Sequence, residues 1–322
     1  MQKRNLSLIR GLIIGVILGI IVVVVIRNNN QAHVIKVGYS PLLLNMPIMV
    51  ATELHCFDSV GISVDLVEMP STNNMRDAVT NGNIDIAVAL GTEMFVQNNI
   101  IQNGSLKALF FNVLTKDRYV DAIIVKNDCA ATDITDLNGK NIGCYPASTV
   151  QAYLNTISQK KGVSFNIITV NPDEAMQLLE SGRIDALYAM EPTLTYALKT
   201  NRYKEIETAL AVRNIQNYLP VGVWAVNNKF CDNNPQKLKL FCKAINMSME
   251  FIEHDPDSAK VLSARFLKKE RNEFDNSHYP EWKDGCFYSE INSMNKFLAF
   301  LVQYDIITAP SDQSENMICI KK

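Results

Sequence analysis

The chain has 322 residues, of which 48% are hydrophobic and 20% charged, with 14 Gly and 11 Pro. Such a chain can bury enough apolar surface to offset its ordering entropy, which excludes disordered and collagen-like classes. A net charge of -2 excludes the basic footprint of a nucleic-acid binder, and a mean hydropathy of +0.01 excludes a protein of many membrane spans.

One segment concentrates the hydrophobicity. Residues 11–26 read GLIIGVILGIIVVVVI, with no polar side chain, and Leu8 and Ile9 extend the run. Together they approach the ~20 residues that span a bilayer core. Lys3, Arg4 and Arg10 precede the run and only Arg27 follows closely. That bias places the N-terminus in the cytoplasm and the remainder outside. The expected form is an uncleaved single-pass anchor in the cell membrane with an extracytoplasmic body. The alternative is a cleaved signal peptide, whose best small-residue match is Asn30 and Ala32. Four of the 31 basic residues fall before position 28, so the rest carries 27 basic against 33 acidic residues. Seven cysteines contain no C-x-x-C pair, so zinc and thioredoxin-type sites have no support. An exported chain can pair some of them, and the odd number leaves at least one free or paired with another chain.

Past the polar linker, strand and helix signals alternate. Residues 34–39 form an apolar strand and 46–55 a helix. Residues 63–69 alternate as a strand does, and 73–80 form a helix stopped by Asn81-Gly82. Strands follow at 84–90, 106–114 and 121–125. The pattern restarts with a strand at 141–145 and a helix at 148–160, Ser148 being its expected cap. Then come a strand at 165–170, a helix at 172–180 opened by Pro172, and a strand at 184–189. Residues 221–227 form another strand, while 235–254, 257–266 and 288–304 read as helices. The alternation argues for an α/β fold with largely parallel sheets.

The restart is also a repeat. Asn81-Gly82-Asn83-Ile84-Asp85 matches Ser181-Gly182-Arg183-Ile184-Asp185, and Val37-Gly38-Tyr39-Ser40-Pro41 resembles Ile142-Gly143-Cys144-Tyr145-Pro146. The expectation is two lobes of one architecture. In each, Gly ends a helix, Ile enters the sheet core and Asp sits at the strand's polar mouth. Strands around 106–125 and 219–227 are the candidates to cross between them. The expected division is a cytoplasmic tip and anchor over 1–28, a linker over 29–33, the first part of lobe 1 over 34–116, lobe 2 over 117–224, and a return to lobe 1 over 225–322.

In open α/β sheets, ligands bind beyond the carboxyl ends of the strands, against helix N-termini. Four loops are expected to converge there: 39–46, 90–93, 145–151 and 189–193. Thr92, Ser148 and Thr149 bring hydroxyls. Tyr39, Tyr145 and Tyr188 serve equally as walls of a site or as core residues. Glu93 and Glu191 suit an amine or amidine on a ligand, or are first-turn acids favoured by the helix dipole. A zwitterion or neutral polar heterocycle fits this set better than phosphate. No G-x-S-x-G, H-E-x-x-H, G-x-x-x-x-G-K-[ST] or G-x-G-x-x-G motif occurs, and the four histidines are far apart in sequence.

The ordered series Val-Gly-Tyr-Ser-Pro, Met46-Pro47-Ile48, N-G-x-I-D-I-A, L-N-G-K-N-I-G-C and S-G-R-I-D-A-L-Y-A-M-E-P resembles the nitrate/sulfonate/taurine-type solute-binding proteins of ABC importers. Their superfamily also includes thiamine-pyrimidine-precursor binding proteins and pyrimidine synthases. The resemblance implies a type II periplasmic-binding-protein fold, two α/β lobes joined by a two-segment hinge, here preceded by a transmembrane helix. It implies ligand contacts from Ser40, Pro41, Asn45, Gly91, Thr92, Ser148, Thr149, Gln151 and Glu191, with no cofactor and no metal. The implied partners are a small polar or anionic solute, an ABC permease with its ATPase, and the membrane, but no nucleic acid. Two departures stand out: an anchor without a lipobox, and Ala147-Ser148-Thr149 where many relatives have a Gly-Ser pair. The synthase branch relies on a cysteine-rich signature and an active-site histidine, and no such cysteine cluster occurs. The alternatives to a transport role are an enzyme of the same fold in pyrimidine or quinone-precursor biosynthesis, and a ligand-sensing module.

Overall fold

The computed structural model describes residues 34–102, 104–284 and 289–308. The apolar run over 11–26 and the linker after it lie outside these residues. Among the described residues, no helix is long and apolar enough to cross a membrane.

Short apolar strands build two sheets. The first contains β1 (Ile35–Tyr39), β2 (Val64–Glu68), β3 (Ile86–Gly91), β4 (Leu106–Leu114), β10 (Leu219–Asn227) and β11 (Glu281–Asp284), in the order β11-β4-β10-β3-β1-β2. The second contains β5 (Asp121–Lys126), β6 (Asn141–Cys144), β7 (Asn166–Thr169), β8 (Ala186–Met190) and β9 (Tyr203–Thr208), in the order β7-β6-β8-β5-β9. The two orders are equivalent. Each has a parallel trio (β2-β1-β3 and β7-β6-β8), then an antiparallel strand (β10 or β5) arriving from the other sheet's run of sequence. The expectation of largely parallel sheets is corrected here. The strands beyond each trio pair antiparallel, because a chain that crosses between lobes enters the next sheet in reverse.

Most helices follow the signals in the sequence, while the short ones at Cys56–Ser59, Leu210–Asn214 and Asn228–Asn233 have no counterpart among the expected elements. The helices near the first sheet are α1 (Met46–Glu53), α2 (Cys56–Ser59), α3 (Thr72–Asn81) and α4 (Thr92–Ile101). The second sheet carries α5 (Ser148–Lys161), α6 (Pro172–Glu180), α7 (Thr193–Lys199) and α8 (Leu210–Asn214). The chain then returns through α9 (Asn228–Asn233), α10 (Pro235–His254), α11 (Pro256–Leu267) and α12 (Ser289–Gln303). Ser71 caps α3 by accepting the Asn74 N–H at 3.2 Å, and Gly82 at φ +76° ends it in the left-handed region that glycine tolerates. The residue capping α5 is Ala147, with Ser148 one place inside, so the expected serine cap is absent.

The repeated motif holds in space. The Asp85 carboxylate accepts the Lys36 N–H at 2.9 Å, and the Asp85 N–H donates to the Lys36 carbonyl at 2.8 Å. Asp185 makes the same pair with Asn141, at 2.9 and 2.8 Å. Both aspartates precede their strands, so they clamp the N-terminal ends of the sheets rather than the polar mouth expected for them. The glycines are equivalent too. A Cβ at Gly38 would fall 2.5 Å from Ile84 Cδ1, and one at Gly143 would fall 2.5 Å from Ile184 Cδ1. The isoleucine of each repeat fills the space that its glycine leaves open.

Two connections join the lobes, residues 115–120 between β4 and β5 and residues 215–218 between α8 and β10. They are tied to their surroundings. The Val120 carbonyl accepts the Glu191 N–H at 2.9 Å, and the Asp121 carbonyl accepts the Ala209 N–H at 3.0 Å. Fully buried Asp121 also takes the Tyr188 hydroxyl at 2.9 Å and the Ala211 N–H at 3.2 Å. Burial raises its pKa against the pull of these donors. The C-terminal helix adds a further tie, with Thr156 of α5 and the Tyr304 hydroxyl 2.6 Å apart.

Gly143→Ala is expected to destabilise the fold by about 1–3 kcal/mol through overpacking. Ile184→Val removes the atom it would strike, so the double variant should recover about 1 kcal/mol relative to the sum of the single losses. Denaturant unfolding of the four proteins checks this; strictly additive losses would contradict the pairing.

Candidate functional site

The loop after β1 is held rigidly from below. Asn45 donates through Nδ2 to the Ser40 carbonyl at 2.6 Å and approaches Ser40 Oγ at 3.3 Å, closing the turn on itself. The Leu44 carbonyl accepts from Asn112 Nδ2 at 2.8 Å and from Trp282 Nε1 at 2.9 Å. Asn112 in turn accepts Trp224 Nε1 at 2.9 Å. Asn112 and Trp224 are fully buried, so each of these polar groups needs its partner. Three strands, β4, β10 and β11, thus fix one turn of the loop. Nothing in the local sequence marks Asn112, Trp224 or Trp282 for this task.

Across from that loop lies the end of β8. The Glu191 carboxylate accepts the Thr195 N–H at 3.2 Å and the Thr195 hydroxyl at 2.9 Å within its own lobe. It also accepts the His278 N–H at 2.9 Å from the returning segment of the first lobe. Burial raises its pKa, and these donors and Lys260 partly oppose the rise. The His278 ring stacks on Tyr119 with centroids 4.3 Å apart, and burial, then Lys260, lowers its pKa. Pro41, Leu42, Leu43 and Leu44 meet Glu191, Pro192, Phe274, Ser277 and His278 around a cavity of about 30 Å³. On its outer side, Lys199 reaches the Asn272 carbonyl beside a wider groove of about 620 Å³ that contains Tyr196.

The expected residues fall into distinct sets. Pro41 and Glu191 line the same cavity, with Ser40 and Asn45 bracing its first-lobe wall. Gly91 lies at the end of β3, and the Glu93 carboxylate folds over its bare Cα. Thr92 is fully buried and its hydroxyl donates to the Pro220 carbonyl at 2.7 Å, so that proton is committed to the crossing strand. Ser148 is exposed and Thr149 half-buried at the start of α5, while Gln151 Nε2 bonds Thr169 Oγ1 at 3.2 Å. None of these three lines the Pro41–Glu191 cavity. Of the tyrosines, Tyr39 packs edge-on against Phe266 and Tyr188 is buried on Asp121, both on the core side of the alternative. Tyr145 is half-buried, and burial raises its pKa.

The helices that begin at the four expected loops have open ends. Asn45, Gly91, Ala147 and Pro192 give no side-chain cap to α1, α4, α5 and α7, although Glu191 takes one first-turn N–H of α7. Such ends offer N–H donors to a polar guest. Phe274, Ser277, His278 and Tyr119 were not foreseen in the sequence. Among the described residues, no group of His, Cys, Asp and Glu is arranged to hold a metal ion.

Glu191→Ala deletes the acceptor that holds the His278 N–H. A hydrogen bond to a charged group contributes about 1.5–3 kcal/mol, so exchange of that amide should accelerate by about 10- to 100-fold. Hydrogen exchange resolved at His278 reads this out; an unchanged rate would show that the contact does not hold the lobes.

Known proteins agree with this architecture. The profile of the family described as "NMT1/THI5 like" matches residues 45–259. The periplasmic aliphatic sulphonate binding protein SsuA of Escherichia coli superposes with a TM-score of 0.72 at 12% identity, over 89% of this chain and 98% of that one. The periplasmic nitrate-binding protein NrtA of Synechocystis PCC 6803 superposes with a TM-score of 0.66 at 14% identity, over 89% and 85%. In Saccharomyces cerevisiae, the 4-amino-5-hydroxymethyl-2-methylpyrimidine phosphate synthase THI13 is 19% identical over 69% of this chain and 67% of its own. The resemblance read from the ordered motifs is therefore sound, and so is the periplasmic-binding-protein architecture. With its profile match covering most of its length, this chain belongs to the NMT1/THI5-like family.

Proposed function

We propose that this protein is an extracytoplasmic solute-binding protein. It closes two lobes on a small polar ligand and delivers that ligand to an ABC permease and its ATPase. The observation that carries the reading is the opposed pair of walls, the braced Ser40–Asn45 loop and the Glu191 end of β8, already linked through the His278 N–H. A ligand that touches both walls shifts an open–closed equilibrium in proportion to its differential contact with the closed form. The names of SsuA and NrtA support this role, since each is a binding protein of the same fold. Cys231 is disulfide-bonded, which suits an oxidising compartment outside the cytoplasm. The apolar run over 11–26 would tether the protein there as a single-pass anchor.

The yeast relative named as a synthase supports the second reading, an enzyme of the same fold. His278 is the histidine at the mouth, and its ring is held flat against Tyr119. The two readings differ in whether a ligand leaves unchanged.

The purified chain should melt about 5 °C higher with a true ligand at 100 times its Kd, where binding contributes about 2.7 kcal/mol. A thermal-shift screen over sulfonates, nitrate, pyrimidines, amino acids and amines identifies that ligand. Ser40→Ala and Glu191→Ala, one from each wall, should each weaken its binding several-fold, about 1 kcal/mol per lost hydrogen bond. Recovery of a chemically altered ligand would overturn the binding-only reading in favour of the enzyme. Unchanged affinity in both variants would move the site elsewhere.

A further inference from the structure

The four loops at the mouth, residues 39–46, 90–93, 145–151 and 189–193, contain no Lys, Arg or His. They do contain two carboxylates. Glu191 is satisfied by the Thr195 and His278 donors described above. Glu93 is different. Its Oε1 lies 2.5 Å from the position a Cβ would take on Gly91, so the carboxylate rests over the bare Cα and a side chain there would push it aside. It keeps part of its surface open and lies near enough to Tyr153, on a helix of the second lobe, for its charge to be felt there. Among the described residues, no cation pairs with it.

The backbone N–H of Glu93 donates to its own carboxylate, and burial outweighs that bond. Beyond Glu93, across the seam, stands buried Tyr153 of α5, which feels the charge of both Glu93 and Asp121. Asp121 is fully buried, and its Oδ1 has no hydrogen-bond partner. Asn45 is also fully buried, with its Oδ1 unpartnered on the loop beside the end of β3. Buried acceptors without donors are costly, and buried carboxylates without a counter-charge more so. The open side of Glu93 therefore suits a guest that brings N–H groups and positive charge.

We propose that Glu93 is the counter-ion of a protonated nitrogen on the ligand, an organic ammonium or amidinium, and that Gly91 is bare in order to seat that carboxylate. This rests on the solute-binding reading and narrows it, because it separates this chain from neighbours named for sulphonate and nitrate. Burial raises the Glu93 pKa, so its ionised form gains most when a cation enters beside it.

The test is calorimetric titration of the full chain with benzamidinium, agmatine, benzenesulfonate and nitrate. A cation should bind at least about 10-fold tighter than either anion, equivalent to about 1.4 kcal/mol. Glu93→Gln should weaken the cation about 10-fold or more and narrow its margin over the anions. Gly91→Ala, which keeps the charge but displaces the carboxylate, should also weaken the cation. Glu93→Gln should melt no lower than wild type, since a neutral amide replaces an unpaired carboxylate, and this shows that the variant folds. Tighter binding of either anion overturns the proposal, as does unchanged cation affinity in folded Glu93→Gln. Silence from all four probes overturns it as well, whereas the solute-binding reading falls only if the wider thermal-shift screen is also silent.

Discussion

Each sheet of this protein is completed by a strand that arrives from the other lobe's run of sequence. β10 lies between β3 and β4, and β5 lies between β8 and β9. Neither sheet closes its hydrogen-bond ladder without the crossing, so the lobes share a folding fate while remaining distinct bodies. The two crossings also set the geometry of everything else. They start the second strand set beside Asp121, whose buried carboxylate gathers Tyr188 and Ala211 into one knot at the junction. A second tie fixes the opposite side, where the Thr92 hydroxyl reaches the carbonyl of Pro220. Motion between lobes, on this account, is confined to the few residues on either side of these knots.

That frame explains why the two sides of the cavity are held in different ways. The Ser40–Asn45 turn is fixed by Asn112, Trp224 and Trp282, all from strands of the first sheet. Glu191 divides its carboxylate between its own helix and the backbone of His278. One wall is thus set by the core, whereas the other is set by hydrogen bonds to its own helix and to the returning segment. Separating the scaffold from the recognising surface in this way lets one fold serve many ligands. On the proposal made for Glu93, the choice of ligand rests in such residues rather than in the architecture.

Much of the architecture was legible in the sequence, for identifiable reasons. The helix over Pro172–Glu180 is found with the limits read from its opening proline and its apolar spacing. The helix ending at Gly82 follows from the same logic. The paired Gly-x-Ile-Asp segments did signal two equivalent units, although the aspartates serve the opposite ends of the sheets. By contrast, β9 (YKEIET) and β11 (EWKD) escaped notice. Both are edge strands, where Lys and Glu guard against unwanted pairing and blur the alternation that marks a strand. The site divided along a similar line. Pro41 and Glu191 sit beside the same cavity, and both flank recognisable strand ends. Thr92 turned inward because the crossing strand, distant in sequence, offers it a carbonyl. His278 joins Glu191 over a separation of 87 residues, and no local pattern encodes such a contact.

The central claim is that the two bodies move together on a guest held between them. The most direct measurement is the distance between probes placed one on each body, at exposed Ile101 of α4 and at Ile168 of β7, by pulsed electron spin resonance. With a saturating ligand, the distance distribution should narrow and its mean should shorten. A distribution that keeps its width and mean while the ligand is demonstrably bound would contradict the account.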